Sequence, residues 1–241
     1  MSRRRWIADE VSDTRAALVG AHADHLSRVL RARIGQEFDI TTGNMVRRGQ
    51  ITAITSDRVE FELGAEIPAP ATVQVTLVLA VFKFDRMEWA IEKCTELGAS
   101  RIVPVIARRT EAHLAAAAAK RVERWRRIAL QAAEQSRRTS PPEISPPLKL
   151  KEAAALPGRL RILFSETEPE VMLKDLLQSH SSEGDVDVDV VLAFGPEGGW
   201  TKEELKLFQE AGWISASLGN TILRAETAAI AALAVVQSEL S

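Results

Sequence analysis

The sequence predicts an α/β protein in which a mostly parallel, doubly wound sheet follows a smaller β-rich domain. Three observations support this. Residues 73–81 form a nearly continuous apolar run rich in β-branched residues, typical of a strand buried on both faces. After it, strand-like and helix-like segments alternate, as they do in sheets with helices on both sides. The first seventy residues instead contain short β segments separated by glycine and polar turns.

The N-terminal elements predict a small barrel. A short helix is expected near His22–Leu30, and strands are expected at 37–40, 45–47, 50–54 and 58–63. The pattern then breaks at Glu66–Ala71, a proline-containing segment typical of a linker. We therefore expect a first domain at residues 1–72 and a second at residues 73–241.

The second domain begins with the apolar strand and continues as a β/α series. A helix at Arg86–Leu97 is stopped by Gly98, a residue favoured just past a helix end. A polar loop tip is expected at Ser179–Asp185, and prolines mark a loop between residues 141 and 147. The remaining regular elements are expected at 101–106 (strand), 115–138 (helix), 161–164 (strand) and 187–194 (strand).

Two glycine-bearing loops near the C-terminus are the most informative feature. The apolar run Val190–Phe194 breaks into Gly195–Gly199, and a second short strand ends in Leu218–Thr227, which opens an alanine-rich helix. In an open α/β sheet the ligand crevice lies at such strand ends, and glycine lets the backbone approach a ligand closely. Neither loop has a GxGxxG or GxxxxGK[ST] phosphate-binding pattern. The pair predicts a nucleotide-like ligand held without a pyrophosphate clamp.

Strand–GPEGG–helix followed by strand–LGxxILRxETA–helix resembles the C-terminal half of the SPOUT class of RNA methyltransferases. Within that class, the chain most resembles the ribosomal RNA small subunit methyltransferase E family, which methylates N3 of a uridine in 16S ribosomal RNA. Similar blocks occur at 25–31, 83–98 and 124–138, so the resemblance covers nearly the whole chain. One departure is Thr221, where the family often has a basic residue.

The resemblance implies a SPOUT domain with a C-terminal trefoil knot, a PUA-like barrel that binds RNA, and a homodimer. It also implies S-adenosyl-L-methionine as cofactor and 16S rRNA, in an assembled small subunit, as substrate. Another RNA such as tRNA, and a non-catalytic RNA-binding protein, are the alternatives. The residues implied to bind the cofactor are Phe164, Ser165, Gly195, Pro196, Glu197, Gly198, Gly199, Leu218, Gly219, Asn220, Ile222, Leu223 and Thr227.

Three charged residues are the catalytic candidates. Arg224 precedes the last helix, where a cation opposes the helix dipole, so we expect it to have a partner: Glu197, a phosphate or the target base. Its guanidinium is suited to stabilise the anion that forms as uridine N3 loses its proton. Because arginine stays protonated, it cannot itself take that proton. Glu197, Glu226 and bulk water remain alternatives for the general base.

The net charge of -2 conceals a strong segregation of charge. Residues 83–138 hold thirteen Lys and Arg against seven Asp and Glu, whereas residues 139–241 hold eight against sixteen. A local basic face is the electrostatic footprint of an RNA-binding protein, although a merely solvated helix face has the same composition. The candidate RNA-binding residues are Arg31, Arg86, Arg124, Arg127 and Arg138.

Composition disfavours other classes of protein. No apolar run approaches the roughly 18 residues of a membrane span. Cys94 is the one cysteine and the four histidines have no metal-binding spacing, so neither a disulfide nor a metal site is expected, and the expected location is the cytoplasm. The last helix is apolar around its whole circumference, with Ile230, Leu233 and Val236 on neighbouring faces, which predicts a dimer interface.

Overall fold

The chain forms two compact units, Met1–Pro70 and Ala71–Ser241. The computed structural model describes residues 5–42, 45–67, 73–136, 138, 140–165, 170–180 and 189–240. Residues 68–71 of the expected linker, 181–185 of the expected loop tip and 187–188 of the expected strand lie outside the described residues.

The first unit is built from six strands and one short helical segment. Helix α1 (Ala21–Asp24) continues directly into a π-helical turn, His25–Val29, in place of the single helix expected there. The strands are β1 (Arg5–Ile7), β2 (Glu10–Val11), β3 (Arg15–Val19), β4 (Glu37–Thr42), β5 (Met45–Ile54) and β6 (Arg58–Ile67). Strand β5 joins two segments that the sequence predicts as separate strands, while β1 to β3 were not predicted.

The sheet of the first unit curls until its edges approach each other. Its strand order is β1-β4-β5-β6-β3-β2, so the edge strands β1 and β2 are separated in the chain only by Ala8 and Asp9. Ala8 donates a backbone hydrogen bond to Thr41 of β4, and Asp9 donates one to Ala17 of β3. The side chains enclosed by this sheet form one apolar core, which includes Trp6, Leu18, Leu26, Phe38, Ile40, Ile51, Val59 and Phe61.

The second unit alternates strands and helices. The strands are β7 (Gln74–Ala80), β8 (Arg101–Ile106), β9 (Glu143–Ile144), β10 (Leu148–Lys149), β11 (Leu160–Phe164), β12 (Asp189–Phe194) and β13 (Ile214–Ala216). The helices are α2 (Phe84–Glu96), α3 (Ala112–Gln135), α4 (Leu150–Ala154), α5 (Leu173–His180), α6 (Lys202–Glu210) and α7 (Ala225–Leu240). No helix among the described residues is long and apolar enough to cross a membrane.

The sheet of the second unit is parallel throughout its described strand pairs, with the order β10-β8-β7-β12-β11-β13. Alternate residues of β7 enter two separate cores: Leu77 and Leu79 pack with α2, α3, α5 and α7, whereas Val78 and Ala80 pack with α4 and α6. Helices therefore cover both faces, and the prediction of a doubly wound parallel sheet is confirmed.

Strand β12 enters the sheet between two strands that precede it in the sequence. Asp189 to Phe194 of β12 pair with Gln74 to Leu79 of β7 on one side, and Val190 to Phe194 pair with Leu160 to Phe164 of β11 on the other. Strand β12 therefore has a hydrogen-bonded neighbour on each side and lies inside the sheet, which explains why its side chains are almost wholly buried. The loop that leaves β12 is consequently held near the centre of the sheet.

Helix α7 is largely buried by its own unit. It packs against α2, α5, β12 and β7, and Leu233 and Val236 have no exposed surface. The expectation that these two side chains form a dimer interface is therefore wrong, because the sheet and the neighbouring helices already cover them. The exposed residues of α7 are Thr227, Ala234 and Ser238, with Ile230 and Val235 half-buried.

We expect Leu233→Ala to lower the free energy of unfolding by about 2–5 kcal/mol, because it removes buried methyl groups and leaves a cavity. The matched substitution Ala234→Ser on the exposed face of α7 should change it by less than about 0.5 kcal/mol. Chemical denaturation monitored by tryptophan fluorescence measures both. Equal, small effects would contradict the burial of Leu233.

Candidate functional site

A cavity of about 650 Å³ opens at the carboxyl ends of β11, β12 and β13. This is the edge of a parallel α/β sheet where ligands bind. Most of its lining comes from the end of β11, the loop that follows β12, and the loop between β13 and α7, and Arg86 of α2 and Ala225 and Ala228 of α7 complete it. The lining residues are Arg86, Phe164, Ser165, Phe194, Gly195, Pro196, Glu197, Gly199, Trp200, Ala216, Ser217, Leu218, Gly219, Asn220, Thr221, Ile222, Leu223, Arg224, Ala225 and Ala228.

The loop after β12 is a tight turn that requires glycine. At Gly195 a Cβ atom would lie 3.2 Å from the Trp200 indole nitrogen and 3.4 Å from the backbone carbon of Gly199. Gly199 has a φ of +70°, and its N–H donates to the carbonyl of Pro196 at 2.7 Å. Larger residues at 195 would push the loop apart, so the glycines keep backbone groups close to the cavity.

Neighbouring segments fix this glycine loop from two sides. Trp200 donates its indole N–H to the carbonyl of Phe164 at 3.1 Å, which ties the loop to the end of β11. On the other side, the Arg109 guanidinium donates to the carbonyl of Gly198. The loop therefore has a defined position before any ligand arrives.

A buried carboxylate connects the start of α6 to the end of β8. Glu204 accepts the backbone N–H of Thr201 at 2.8 Å, which completes a capping box at the start of α6. Its other oxygen accepts the N–H of Arg108 at 2.7 Å. Because Glu204 is almost fully buried, these hydrogen bonds are shielded from water, and they hold the loops after β8 and β12 together.

Two stacked phenylalanine rings end the strands beneath the cavity. Phe164 of β11 and Phe194 of β12 are paired in register, and their ring centroids lie 4.7 Å apart with planes only 5° from parallel. The rings form an apolar floor for a flat ligand group. Phe194 and Trp200 were not predicted as ligand residues, since their proximity to Phe164 depends on strand order, which sequence periodicity does not reveal.

The loop between β13 and α7 forms the opposite wall. Ser217 pairs with the segment before α5: its N–H donates to Val171 and its carbonyl accepts from Leu173. Gly219 adopts a φ of +131°, which side-chain-bearing residues rarely accept. Beyond it, Ile222 is 84% exposed although it is large and apolar. An exposed isoleucine on a cavity wall is available to contact a ligand.

Charged side chains from three segments meet at one side of the cavity. Arg86 Nη1 donates to Glu197 Oε1 at 3.2 Å, and Arg86 Nε lies 3.7 Å from Glu226 Oε1. Glu226 is buried at the start of α7, whereas Arg86 and Glu197 are about one third exposed. Arg86, expected from its charge to contact RNA, is thus held by two carboxylates at the cavity.

Arg224 lies at the cavity wall, exposed, just before α7. Of the partners expected for it, Glu197 bonds to Arg86 and forms no hydrogen bond or ion pair with Arg224 in the described structure. Within the described part of the chain, no hydrogen bond or ion pair holds the Arg224 side chain. Its guanidinium is therefore free to meet a phosphate or a base.

The structure brings together eleven of the thirteen residues expected to bind the cofactor. The two others lie outside the cavity lining. Gly198 faces the Arg109 side chain, where a Cβ atom would lie 3.3 Å from Cδ. Thr227 is exposed on α7 and does not line the cavity, although its neighbour Ala228 does. Gly198 thus shapes the loop, and Thr227 has no geometric link to the ligand.

Two arginines on α3 are exposed but differ in their contacts. Arg124 forms a bidentate pair with Glu88 of α2, at 2.6 and 2.7 Å, and these hydrogen bonds raise the pKa of Arg124. Arg127 has no partner in the described chain. Since a phosphate would have to compete with Glu88 at Arg124, Arg127 is the better placed of the two for RNA.

Arg138 has the contacts of a helix cap. Its Nη1 donates to the carbonyls of Thr95 and Ala99 at 2.7 and 2.8 Å, so it satisfies oxygens at the C-terminal end of α2. Burial lowers the pKa of the Arg138 guanidinium. The structure gives no support to its expected phosphate contact, because position in the sequence does not distinguish a buried cap from an exposed cation.

Arg31 lies in the first unit, just after the π-helical turn. It is exposed, has a φ of 51°, and is unpaired in the described chain. It is flanked by two exposed apolar side chains, Val29 and Ile34, which are about two thirds exposed. Arg31 therefore remains a candidate for contact with RNA.

No cysteine or histidine of the described chain lines the cavity. Cys94 lies in the core, and burial raises the pKa of its thiol to about 12, so it is not a nucleophile near neutral pH. Among the described residues, no three His, Cys, Asp or Glu side chains are grouped so as to hold a metal ion.

Comparison with known proteins places this cavity in a family. Residues 69–237 match the model of the RNA methyltransferase domain. A ribosomal RNA small subunit methyltransferase E of Synechocystis is 33% identical over 100% of this chain and 78% of its own length. The protein of the same name from Rickettsia conorii is 32% identical over 90% of this chain and 86% of its own.

Similar solved structures include a protein with the same name as the sequence relatives. A ribosomal RNA small subunit methyltransferase E of Neisseria gonorrhoeae bound to S-adenosyl methionine superposes with a TM-score of 0.61, at 28% identity and 98% coverage of both chains. A Legionella pneumophila protein in complex with the cofactor SAM gives 0.63 at 26% identity, covering 99% of this chain and 98% of that one.

The fold and the family match define an RNA methyltransferase. More narrowly, the chain belongs to the ribosomal RNA small subunit methyltransferase E family, because relatives above 30% identity match it along nearly its whole length.

We expect Arg138→Ala to lower the free energy of unfolding by about 1.5–3 kcal/mol, since it removes two charge-assisted hydrogen bonds, to the carbonyls of Thr95 and Ala99. Arg127→Ala, on an exposed and unpaired side chain, should change it by less than about 0.5 kcal/mol. Equilibrium denaturation of both variants makes the comparison. An unchanged stability for Arg138→Ala would contradict the capping role.

Proposed function

We propose that the protein transfers a methyl group from S-adenosyl-L-methionine to N3 of a uridine in 16S ribosomal RNA, within an assembled small subunit in the cytoplasm. The observation that carries this proposal is the single cavity formed by the two glycine loops at the carboxyl edge of the sheet. Support comes from relatives named for small subunit rRNA and from similar structures that contain the cofactor.

The cavity suits this cofactor in size and chemistry. Its volume of about 650 Å³ falls within the roughly 300–1,000 Å³ typical of small-molecule sites. The glycine turns at 195–199 and 219 present backbone groups that can match an adenine edge, and Phe164 and Phe194 supply a flat apolar surface. The cofactor-binding residues we propose are those of the predicted set that line this cavity.

When bound, the cofactor supplies an electrophilic methyl group on a positively charged sulfur. The chain must then position the uridine and accommodate loss of the N3 proton. Arg224 is exposed at the cavity and unpaired in the described structure, so its guanidinium can stabilise negative charge that develops on the uracil oxygens. Glu197 accepts a hydrogen bond from Arg86, and Glu226 is buried. Water is therefore an alternative to both carboxylates as the acceptor of the N3 proton.

Calorimetry with S-adenosyl-L-methionine tests the class of protein. An enzyme of this kind should bind the cofactor, whereas no heat of binding at millimolar ligand would favour a non-catalytic RNA-binding protein. The target is tested by mapping methylated bases in RNA from a strain that lacks the gene. Loss of one N3-methyluridine from 16S rRNA supports the proposal. Loss of a tRNA methylation instead would support the alternative RNA substrate.

We expect Arg224→Ala to lower turnover about 10²–10³-fold, the effect of removing one oxyanion donor, while cofactor affinity changes little. Steady-state methylation of ribosomal subunits gives the turnover, and calorimetry gives the affinity. Should both quantities fall by the same factor, Arg224 would instead be a binding or folding residue. Lys202→Ala, which removes an exposed cation outside the cavity lining, serves as the control.

Basic residues of the two units are proposed to hold the RNA. In the second unit we assign Arg127 to a phosphate contact, with Arg124 contributing when Glu88 releases it. In the first unit, Arg31 and the adjacent exposed apolar side chains are the proposed contact. The curled sheet supports a PUA-like barrel in the first unit, residues 1–72, as an RNA-binding domain.

The strand order supports a trefoil knot in the methyltransferase domain, residues 73–241. Strand β12 enters between the earlier strands β7 and β11, and the chain then returns through β13 so that α7 packs beside α2 and β7. True knots are very rare in proteins. A segment that enters between earlier strands and then returns to the centre of the sheet is therefore a feature that few folds share. It brings the loop after β13 against the loop after β12.

A homodimer through the exposed face of α7 is proposed as the working assembly. That face carries Ala234 and half-buried Ile230 and Val235, small or apolar side chains that permit close approach of a second copy. Because α7 follows directly from the cavity loop, a partner subunit on this face would lie beside the ligand.

We expect Ala234→Arg to give a monomer with weakened cofactor binding, since a long cation on this face blocks helix approach. Ala119→Arg, an exposed alanine on α3, is the control and should leave the assembly unchanged. Sedimentation velocity at micromolar concentration measures the assembly. A monomeric wild-type protein would reject the dimer.

A further inference from the structure

One guanidinium at the cavity is contacted by residues from three distant parts of the chain. Arg86 belongs to the first turn of α2, Glu197 to the glycine loop and Glu226 to the first turn of α7. The side chain of Arg86 lines the cavity and keeps about 30% of its surface exposed. It is thus both accessible to a ligand and held in position, unlike Arg224, whose side chain has no such support in the described structure.

Glu226 is the unusual member of this group. Its side chain is 5% exposed, and its Oε2 atom is buried without a hydrogen-bond partner among the described residues. The helix N-terminus favours an acidic residue, but that preference is met equally well by a solvated carboxylate. A buried carboxylate with an unsatisfied oxygen is costly and calls for a specific reason. Arg86 provides such a reason, because its positively charged guanidinium lies close to this carboxylate, with Nε 3.7 Å from Glu226 Oε1.

The guanidinium retains donors for a ligand. Arginine has five N–H groups, and in this structure Nη1 donates to Glu197 while Nε faces Glu226 at a distance too long for a good hydrogen bond. Unlike Arg124, whose Nε and Nη2 both bond to Glu88, Arg86 gives one hydrogen bond to a carboxylate, so its remaining donors can form paired hydrogen bonds with an anionic or strongly polarised oxygen. A donor held by surrounding carboxylates is preorganised, because it does not have to be ordered when the ligand binds.

We infer that Arg86 is an oxyanion-binding residue of the cavity, and that buried Glu226 positions it. This inference rests on the proposed function and extends it by one binding residue and one positioning residue. Two sources offer the required chemistry: the carboxylate of the cofactor's amino-acid part, and the target nucleotide with its carbonyl and phosphate oxygens. Glu226 acts through Arg86, since it is not among the residues that line the cavity.

The test combines two ligands with a double-mutant cycle. Arg86→Ala, Arg86→Lys, Glu226→Gln and Arg86→Ala/Glu226→Gln are compared with wild type by calorimetry and by methylation kinetics. The calorimetric ligands are S-adenosyl-L-methionine and 5′-methylthioadenosine, which lacks the amino-acid part. The control is Lys93→Ala, because Lys93 is a cation on the same helix that also bonds two carboxylates, Glu92 and Glu96, but lies outside this cavity.

If the cofactor carboxylate is the ligand, Arg86→Ala should weaken S-adenosyl-L-methionine binding at least tenfold and leave 5′-methylthioadenosine unchanged. If the target nucleotide is the ligand, cofactor binding should persist while kcat/KM for RNA falls at least tenfold. In either case Glu226→Gln should shift the same parameter by a smaller factor, and should add nothing in the Arg86→Ala background. Arg86→Lys, which keeps the charge but not the fork, should recover part of the loss.

The inference is overturned if Arg86→Ala stays within twofold of Lys93→Ala in every parameter, or if the effect of Glu226→Gln persists in full without Arg86. Should Arg86→Ala fail to fold, Arg86→Lys and its double variant with Glu226→Gln are scored in the same way. A wild-type protein that neither binds the cofactor nor methylates RNA would instead refute the proposed function and this inference together.

Discussion

The site depends on the pairing of β12 with two neighbours at once. Because β12 is hydrogen-bonded to β7 on one side and β11 on the other, its carboxyl end is fixed at the centre of the sheet. The glycine loop that follows must then turn sharply, and Gly195 favours this because a Cβ atom there would lie 3.2 Å from the Trp200 indole nitrogen, tighter than an ordinary contact. The stacked rings of Phe164 and Phe194 are a direct result of the same register.

Polar contacts then convert this strand arrangement into a defined cavity. Glu204 and Arg109 tie the glycine loop to the segment after β8, and Trp200 ties it to the end of β11. Arg86 connects the same loop to α7, because it pairs with Glu197 of the loop and with Glu226 of α7. Each of these contacts joins segments far apart in sequence, so the cavity forms only when the whole second unit is folded. Arg224, exposed at the cavity wall and unpaired in the described chain, is left for a polar ligand.

The parallel sheet, helices α2, α3, α6 and α7 and both cavity loops could be predicted from the sequence, because apolar runs and glycine turns are local signals, whereas α4 and α5 were not predicted. The short strands β9 and β10 could not, since two residues carry no periodicity. Leu233 shows a different limit: an all-round apolar helix indicates burial, but not whether its own unit or a second copy provides it. Charge had the same ambiguity at Arg138, where a half-buried helix cap and a phosphate ligand have identical sequence signatures.

The central claim is that this cavity brings a methyl donor to a uridine of small subunit rRNA. The most direct measurement incubates the purified protein with S-adenosyl-L-methionine labelled in the methyl group and small subunits from a strain that lacks the gene. The RNA is then digested to nucleosides and the labelled product identified by chromatography and mass spectrometry. The account predicts label in 16S rRNA as N3-methyluridine at a single position. Label in another nucleoside or another RNA, or no transfer by a protein that binds the cofactor, would contradict it.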